Sequence, residues 1–304
     1  MNEVVKSPIT LSENVEIIRK YSIKWLISRY KKSYNLNISY LFKNYSGEYL
    51  ILYKCLDTGL EFFYPYIEGD SSFYEKMSQQ PHYYDNWKWE NEMILPFLNQ
   101  GSKILDIGCG NGDFIANLNK RISVDSTGLE LNKSAVKYAQ SKKRNVKLEL
   151  LSEHAVNHTE YYDFVCSFQV LEHISNLHNI LQDSTRCLKK GGILSISVPN
   201  NDTYFGFYKY GCGNMPPHHV VRWNEQALRS LAPYFGLKVK CIITESLEED
   251  KLDFAQPLMS LLFHNHYIGK ILFFLKFHLI IKTFLSAISK WIKGPTIIAI
   301  YEKE

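Results

Sequence analysis

Lys103-Ile104-Leu105-Asp106-Ile107-Gly108-Cys109-Gly110-Asn111-Gly112-Asp113-Phe114 is a short apolar run that ends in an acid and then in three glycines spaced two apart. Such a run predicts a strand, and the glycines let the backbone turn tightly and approach a ligand with no Cβ in the way. Dinucleotide-binding folds space their glycines as G-x-G-x-x-G and seat a pyrophosphate on the following helix. Here the third glycine arrives one residue early, and Asp106 stands two residues before the first. A carboxylate aimed at the crevice repels a pyrophosphate and suits the cationic group of an amino acid. Glu130 ends the next apolar run, where an acid can accept hydrogen bonds from both hydroxyls of a ribose. The pattern predicts a site for an adenosine that carries an amino acid rather than phosphates. A tight turn with no ligand is the bland alternative.

Downstream, short apolar runs alternate with helical segments. Strands are expected at Ser126–Leu131, Val146–Leu151, Tyr162–Phe168 and Ile193–Val198, with helices at Asp113–Lys120, Lys133–Ser141 and Leu177–Leu188. This β-α-β-α order implies a mostly parallel sheet with helices on both faces. Right-handed crossovers then favour a Rossmann-like, doubly wound α/β fold. After Pro199 come a loop rich in Gly, Tyr, Pro and His, a helix from Asn224 to Tyr234, a strand from Leu237 to Ile243 and a last strand, Thr296–Tyr301. The sheet is expected to hold seven strands.

Upstream, residues 1–98 are expected to form a small α+β accessory region, and residues 99–304 the main domain. The accessory region has a helical stretch near Val15–Tyr30, a strand-like run Glu48–Tyr53, and Gly59–Pro65 as the second arm of a hairpin. Ser72–Trp89 is expected to be a helix with an aromatic face, packing on the main domain or closing over the cofactor, where aromatic rings favour a sulfonium. A net charge of +4 and the lack of a long basic block argue against nucleic acid as a partner. The six cysteines include no CxxC pair, which argues for a reducing compartment and against a disulfide framework or a complete zinc site. The polar, acidic N-terminus does not resemble a signal peptide. The expectation is a cytoplasmic protein without a metal.

ILDIGCGNGDF, GLELNKSAV, YYDFVCSFQVLEHISN and LKKGGILSISVPN, in this order, resemble the successive strand motifs of class I S-adenosylmethionine (SAM)-dependent methyltransferases. The resemblance covers residues 101–245 and resumes at 295–302. It implies SAM as cofactor and S-adenosylhomocysteine as product. It places the methionine part against Asp106, Gly108, Gly110 and Gly112, the ribose on Glu130, and adenine against Leu131. Glu153 would stand near the adenine amino group, and Phe168, Gln169 and Val170 under the sulfonium. His173 recurs in related enzymes, with a hydrogen-bonded structural histidine as the alternative.

Met215-Pro216-Pro217-His218-His219-Val220-Val221-Arg222-Trp223 follows the fifth strand of the main domain, where substrate loops stand over a doubly wound sheet. Adjacent histidines are expected to point in different directions, so that one faces the pocket. A histidine can take a hydroxyl proton as the oxygen attacks a methyl group. His218 or His219 is therefore the candidate catalytic base, against the alternative that both buttress the loop. The string resembles a PPHH-x-x-RW element in bacterial methyltransferases of sugar and surface-glycan pathways. Those relatives often carry a zinc ribbon ahead of "GLEF", where this chain keeps Cys55 but has Thr58 in place of a second cysteine.

An apolar helical insertion is expected at about 253–292. Lysines interrupt it too often for a membrane span of roughly 20 apolar residues. Its stretch 268–293 leaves three readings open: a peripheral contact with an anionic membrane face, a lid, or a homodimer interface. The function expected is O-methylation of a sugar or other small hydroxylated metabolite, a nucleotide-linked sugar among them. C- or N-methylation, and a SAM-binding subunit without turnover, stand as alternatives.

Overall fold

The computed structural model describes residues 4–77, 87–203, 212–246 and 293–304. The chain opens with β1 (Val15–Ser22), α1 (Ile23–Tyr34), β2 (Tyr49–Cys55), β3 (Glu61–Tyr64) and α2 (Ser71–Met77). The helix expected from Val15 begins only at Ile23. Val15, Ile17 and Ile18 are β-branched, and their stretch pairs antiparallel with β2. The Ser22 side chain then accepts a hydrogen bond from the Trp25 N–H, which starts the helix where the strand stops. A short helix, α3 (Trp89–Met93), leads into the main domain, whereas residues 78–86 of the expected aromatic helix lie outside the described residues.

The main domain continues with β4 (Lys103–Ile107), α4 (Asp113–Leu118), β5 (Asp125–Leu129), α5 (Lys133–Ser141) and β6 (Val146–Lys147). Next come α6 (Leu151–Asn157), β7 (Tyr162–Phe168), α7 (Leu177–Cys187) and β8 (Leu188–Pro199). After the histidine-containing loop, β9 (Val221–Arg222), α8 (Glu225–Leu231), β10 (Leu237–Ser246) and β11 (Lys293–Lys303) complete the order. Seven strands form one sheet in the order β10-β11-β8-β7-β4-β5-β6. All its pairs are parallel except those of β11, which runs antiparallel to both β8 and β10. This is the doubly wound sheet the motif order predicts. The chain leaves β4 towards β5 on one side and later returns to β7 on the other, so a crevice opens beyond their carboxyl ends.

Two differences affect the site. The third strand of the main domain is only two residues long, pairing Gly128 with Val146 and Leu129 with Lys147 at the sheet edge. Helix α6 starts at Leu151, inside the span expected to be strand and its sequel. The second difference is a four-stranded sheet, β1-β2-β3-β9, whose last strand comes from the loop that carries the histidines. Glu61 pairs with Arg222 and Phe62 with Val221. Phe62, Val221 and Trp223 are fully buried in one apolar cluster with Leu105 and Ile196 of the large sheet.

The insertion expected at about 253–292 lies outside the described residues. Among the described residues no helix is long and apolar enough to cross a membrane.

Phe62→Ala empties a fully buried ring at this junction and is expected to cost about 3–5 kcal/mol of stability. Ile17→Ala, on a side chain 55% exposed, should stay within about 0.5 kcal/mol. Chemical denaturation of the two variants checks both.

Candidate active site

The turn after β4 holds Gly108, Gly110 and Gly112 at φ of 72°, 55° and 74°, a region that L side chains rarely adopt. A Cβ on Gly108 would stand 2.5 Å from Val170 Cγ2, and one on Gly112 2.9 Å from Val146 Cγ2. Backbone and contact both demand glycine here. Glu130, just past β5, holds the turn with its carboxylate. One oxygen accepts from the Gly110 N–H at 2.9 Å, and the other from the Leu131 and Asn132 N–H groups at 2.8 and 2.7 Å. Carboxylate oxygens carry further lone pairs, so hydroxyl donors can still be taken. Arg144 braces the opposite side by donating to the Asn111 carbonyl at 2.6 Å and pairing with Asp113 at 2.7 Å. Its place in sequence, between α5 and β6, gives no sign of this role.

Asp106 is 2% exposed at the end of β4 and faces the cleft. Burial, with the nearby Glu130 charge adding to it, pushes its carboxyl up to about 7, against a hydrogen bond from the Cys166 thiol. On the far side lie Phe168, Gln169 and Val170. Gln169 adopts φ 57° and donates from its backbone to Ser197 O (2.8 Å) and from its amide to Ser197 Oγ (3.0 Å). Leu131 offers an exposed apolar surface in the lining. Glu153 is not brought to the cleft. It points out from the first turn of α6, because the strand before it stops at Lys147 and the chain re-enters helix at Leu151. Glu149, Leu150 and Leu151 line that side instead. Trp87 packs against Phe114 with ring centroids 6.0 Å apart, a contact of the packing kind.

The same cleft, of about 1110 Å³, extends from the glycine turn to His173, His218 and His219. The expectation that the adjacent histidines diverge is corrected. Both backbone N–H groups donate to the Met215 carbonyl at 3.1 Å, so the chain turns here where an extended strand would alternate its side chains. The two rings lie nearly parallel, with centroids 4.4 Å apart, and His173 stands 4.8 and 5.0 Å from them. Each Nδ1 has an oxygen partner: His218 O for His173 (2.5 Å), Gly213 O for His218 (3.0 Å) and Asn214 Oδ1 for His219 (3.2 Å). A carbonyl oxygen can only accept, so each proton sits on Nδ1 and Nε2 is the basic atom of each ring. Burial holds the rings neutral, His173 down to about 3, His218 to about 4 and His219 well below its usual range.

The accessory region fixes this loop. The Tyr30 hydroxyl, fully buried, shares its proton between Cys212 O (2.7 Å) and Met215 O (2.8 Å). Buried Arg222 donates to Asn214 O and faces Glu61 at 3.9 Å, so a chain of contacts runs Glu61–Arg222–Asn214–His219. Tyr74 on α2 meets His173 edge to face at 5.7 Å. Arg222 and Trp223 of the loop motif are therefore structural, and His173 joins the histidine pair.

The strand order, the crevice at its switch point and the glycine–acid turn define a class I SAM-dependent methyltransferase domain. A family profile described as "Methyltransferase domain" matches residues 79–242, slightly over half of the chain, and the chain belongs to that family. A ubiquinone biosynthesis O-methyltransferase of Glaesserella parasuis serovar 5 is 30% identical over 126 residues, 36% of this chain and 53% of that protein. One of Yersinia pestis is 31% identical over 107 residues, 33% of this chain and 44% of its own. The chain thus spans about half the length of these curated relatives. A solved SAM-dependent methyltransferase from Archaeoglobus fulgidus shares the fold, with TM-score 0.50 and 19% identity, covering 77% of this chain and 95% of that one. SAM is the cofactor, and the site fits it: two glycines where a Cβ would collide, and a buried carboxylate in the cleft to meet an ammonium.

An ammonium drawn to Asp106 favours its ionised form, so binding releases a proton near the shifted titration point. SAM affinity is expected to rise as pH is raised from 5.5 to 7 and to level off above. Asp106→Asn should bind at least about tenfold more weakly and lose that slope, as titration calorimetry in buffers of different ionisation enthalpy would read. Gly108→Ala, strained by about 1–3 kcal/mol in the free protein as much as in the bound one, should lower stability by about that amount, as chemical denaturation would read.

Proposed function

We propose that this methyltransferase O-methylates a small hydroxylated acceptor held at the histidine end of the cleft. The observation that carries the reading is the continuity of one cleft from the glycine turn to His173, His218 and His219. One comparison lends weight to oxygen as the atom methylated, the relatives named as ubiquinone biosynthesis O-methyltransferases, and the sequence adds the likeness of Pro216-Pro217-His218-His219 to an element of sugar and surface-glycan enzymes. A sugar, nucleotide-linked or not, and another hydroxylated metabolite both suit it. Glu68, Asp70 and Ser71 add polar groups to the accessory side of the cleft.

The cofactor supplies a methyl group already activated on a sulfonium. Asp106 binds the ammonium, Glu130 accepts the ribose hydroxyls and Leu131 covers adenine. Phe168, Gln169 and Val170 support the methyl-bearing end. The gain from this arrangement is alignment of acceptor, methyl and sulfur in one line, which replaces a chance collision by a held geometry. His218 or His219 takes the hydroxyl proton on Nε2 as the acceptor oxygen bonds to the methyl carbon. The carbon–sulfur bond breaks as it forms, and its electron pair stays on sulfur. Asn214 and Gly213 keep both Nδ1 protons in place, so Nε2 is the basic atom presented.

A methyl-transfer screen against hydroxylated metabolites and nucleotide-linked sugars tests the acceptor class. With a turned-over acceptor in hand, His218→Ala and His219→Ala are expected to lower kcat by about 10²–10⁴-fold while SAM affinity stays within about twofold. Unchanged kcat in both would remove the histidines from the chemistry.

A further inference from the structure

Three imidazoles converging on one point need more explanation than one base and one orienting partner. The candidate ligand nitrogens of His173, His218 and His219 lie within 4.8 Å of one another. Every Nδ1 is on an oxygen acceptor, the arrangement that fixes the tautomer and leaves Nε2 to coordinate a cation. Nitrogens bound to one zinc-type ion at about 2.0–2.1 Å stand roughly 3.3 Å apart, so modest ring tilts close the set. An independent observation lies beside it. Glu172 is 2% exposed, and its Oε2 is buried with no hydrogen-bond partner among the described residues, while its Oε1 stands 3.7 Å from His173 Nε2. Glu172 lines the same cleft. A buried carboxylate with an unmet oxygen is costly unless a cation or donor answers it.

We propose that His173, His218 and His219, with the Glu172 carboxylate beside them, form a site for a divalent first-row transition-metal ion at the acceptor end of the cleft. Three nitrogens and a carboxylate suit zinc, manganese, iron or nickel better than magnesium, which prefers oxygen ligands. The three histidines, with Glu172 as a fourth ligand or as a partner beside the ion, would leave at least one position on it for a small ligand. With the ion bound, an acceptor oxygen in such a position would lose its proton to water in the cleft more easily, and the histidines would serve as ligands in place of a base. The acceptor class is thereby narrowed to molecules that offer an oxygen ligand next to, or at, the atom methylated. That last step rests on the methyltransferase reading above, but the ion site itself does not.

The full chain, stripped with a chelator and purified, is titrated with Zn²⁺, Mn²⁺ and Mg²⁺ by calorimetry, and its bound metal is counted by mass spectrometry. One transition-metal ion per chain, with Mg²⁺ much weaker, is expected. Co²⁺ loading should give d–d absorption without thiolate charge-transfer bands; thiolate bands would place the ion on cysteine and overturn the site. His173→Ala, His218→Ala and His219→Ala should each weaken metal binding at least about tenfold, and Glu172→Gln less. SAM affinity of the metal-free protein and of each variant serves as the control for folding and for the methyltransferase half. Intact SAM binding with no metal uptake would overturn the proposal and leave the cofactor reading standing. Metal uptake undiminished in all three histidine variants would overturn it as well.

Discussion

The Gly110 N–H and the Glu130 carboxylate meet at 2.9 Å across the ends of two neighbouring strands, and the cofactor half of the molecule is arranged around that contact. β4 and β5 lie side by side in register, Ile107 beside Leu129, so the turn after one strand and the acid after the other are neighbours by construction. The Leu129 carbonyl takes both the Gly108 and Cys109 N–H groups, at 2.8 and 3.1 Å. Positive φ at the three glycines lets these N–H groups reach β5, which no β-branched residue could do. The turn is rigid before any ligand arrives, and a rigid site spends little binding energy on ordering itself.

The cleft is built from groups held away from their preferred protonation state. Asp106 titrates near 7, Glu172 near 8, and His173 and His218 near 3 and 4, with burial the first cause in each case. The signs matter. Raised carboxyls and lowered imidazoles both mean that the charged form is disfavoured, so the protein forgoes stability to keep these groups dry. Buried polar groups in this condition gather where a ligand will supply the missing partner. A cationic ammonium would answer Asp106 at one end of the cleft. A cation or a hydrogen-bond donor would answer Glu172 at the other.

The sequence carried the cofactor half because its chemistry is local. Lys103 to Phe114 contains the strand, the turn and the helix start within twelve residues, and Glu130 follows at the end of the next strand. The acceptor half was less legible because it is assembled from distant segments. His173 and His218 are 45 positions apart yet joined by a hydrogen bond. Tyr30 reaches the loop across 182 positions. Val15, Ile17 and Ile18 fit a helix by local pattern because the strand β2 that they pair with lies more than thirty residues on. Glu153 lies outside the cleft lining because an edge strand of two residues ends where local pattern alone would continue it.

The pairing of β3 with β9 makes the accessory region part of the histidine end of the cleft. Two residue pairs, Glu61 with Arg222 and Phe62 with Val221, set the register of the segment that begins two residues after His219. A slip of one residue would turn Arg222 and Val221 to opposite faces, breaking the Arg222–Asn214 contact and taking Val221 out of the core. Asn214 would then no longer hold His219 Nδ1, and the convergence with His173 would be lost. Rigidity at the acceptor end thus depends on residues 61–62 as much as on the histidines themselves. The large sheet orders the cofactor end through neighbouring strands, while the small sheet orders the acceptor end through a strand borrowed from the loop. The two ends are nonetheless tied through one core, where Phe62, Val221 and Trp223 pack with Leu105 of β4 and Ile196 of β8, so a change at the borrowed strand is felt beneath the glycine turn as well.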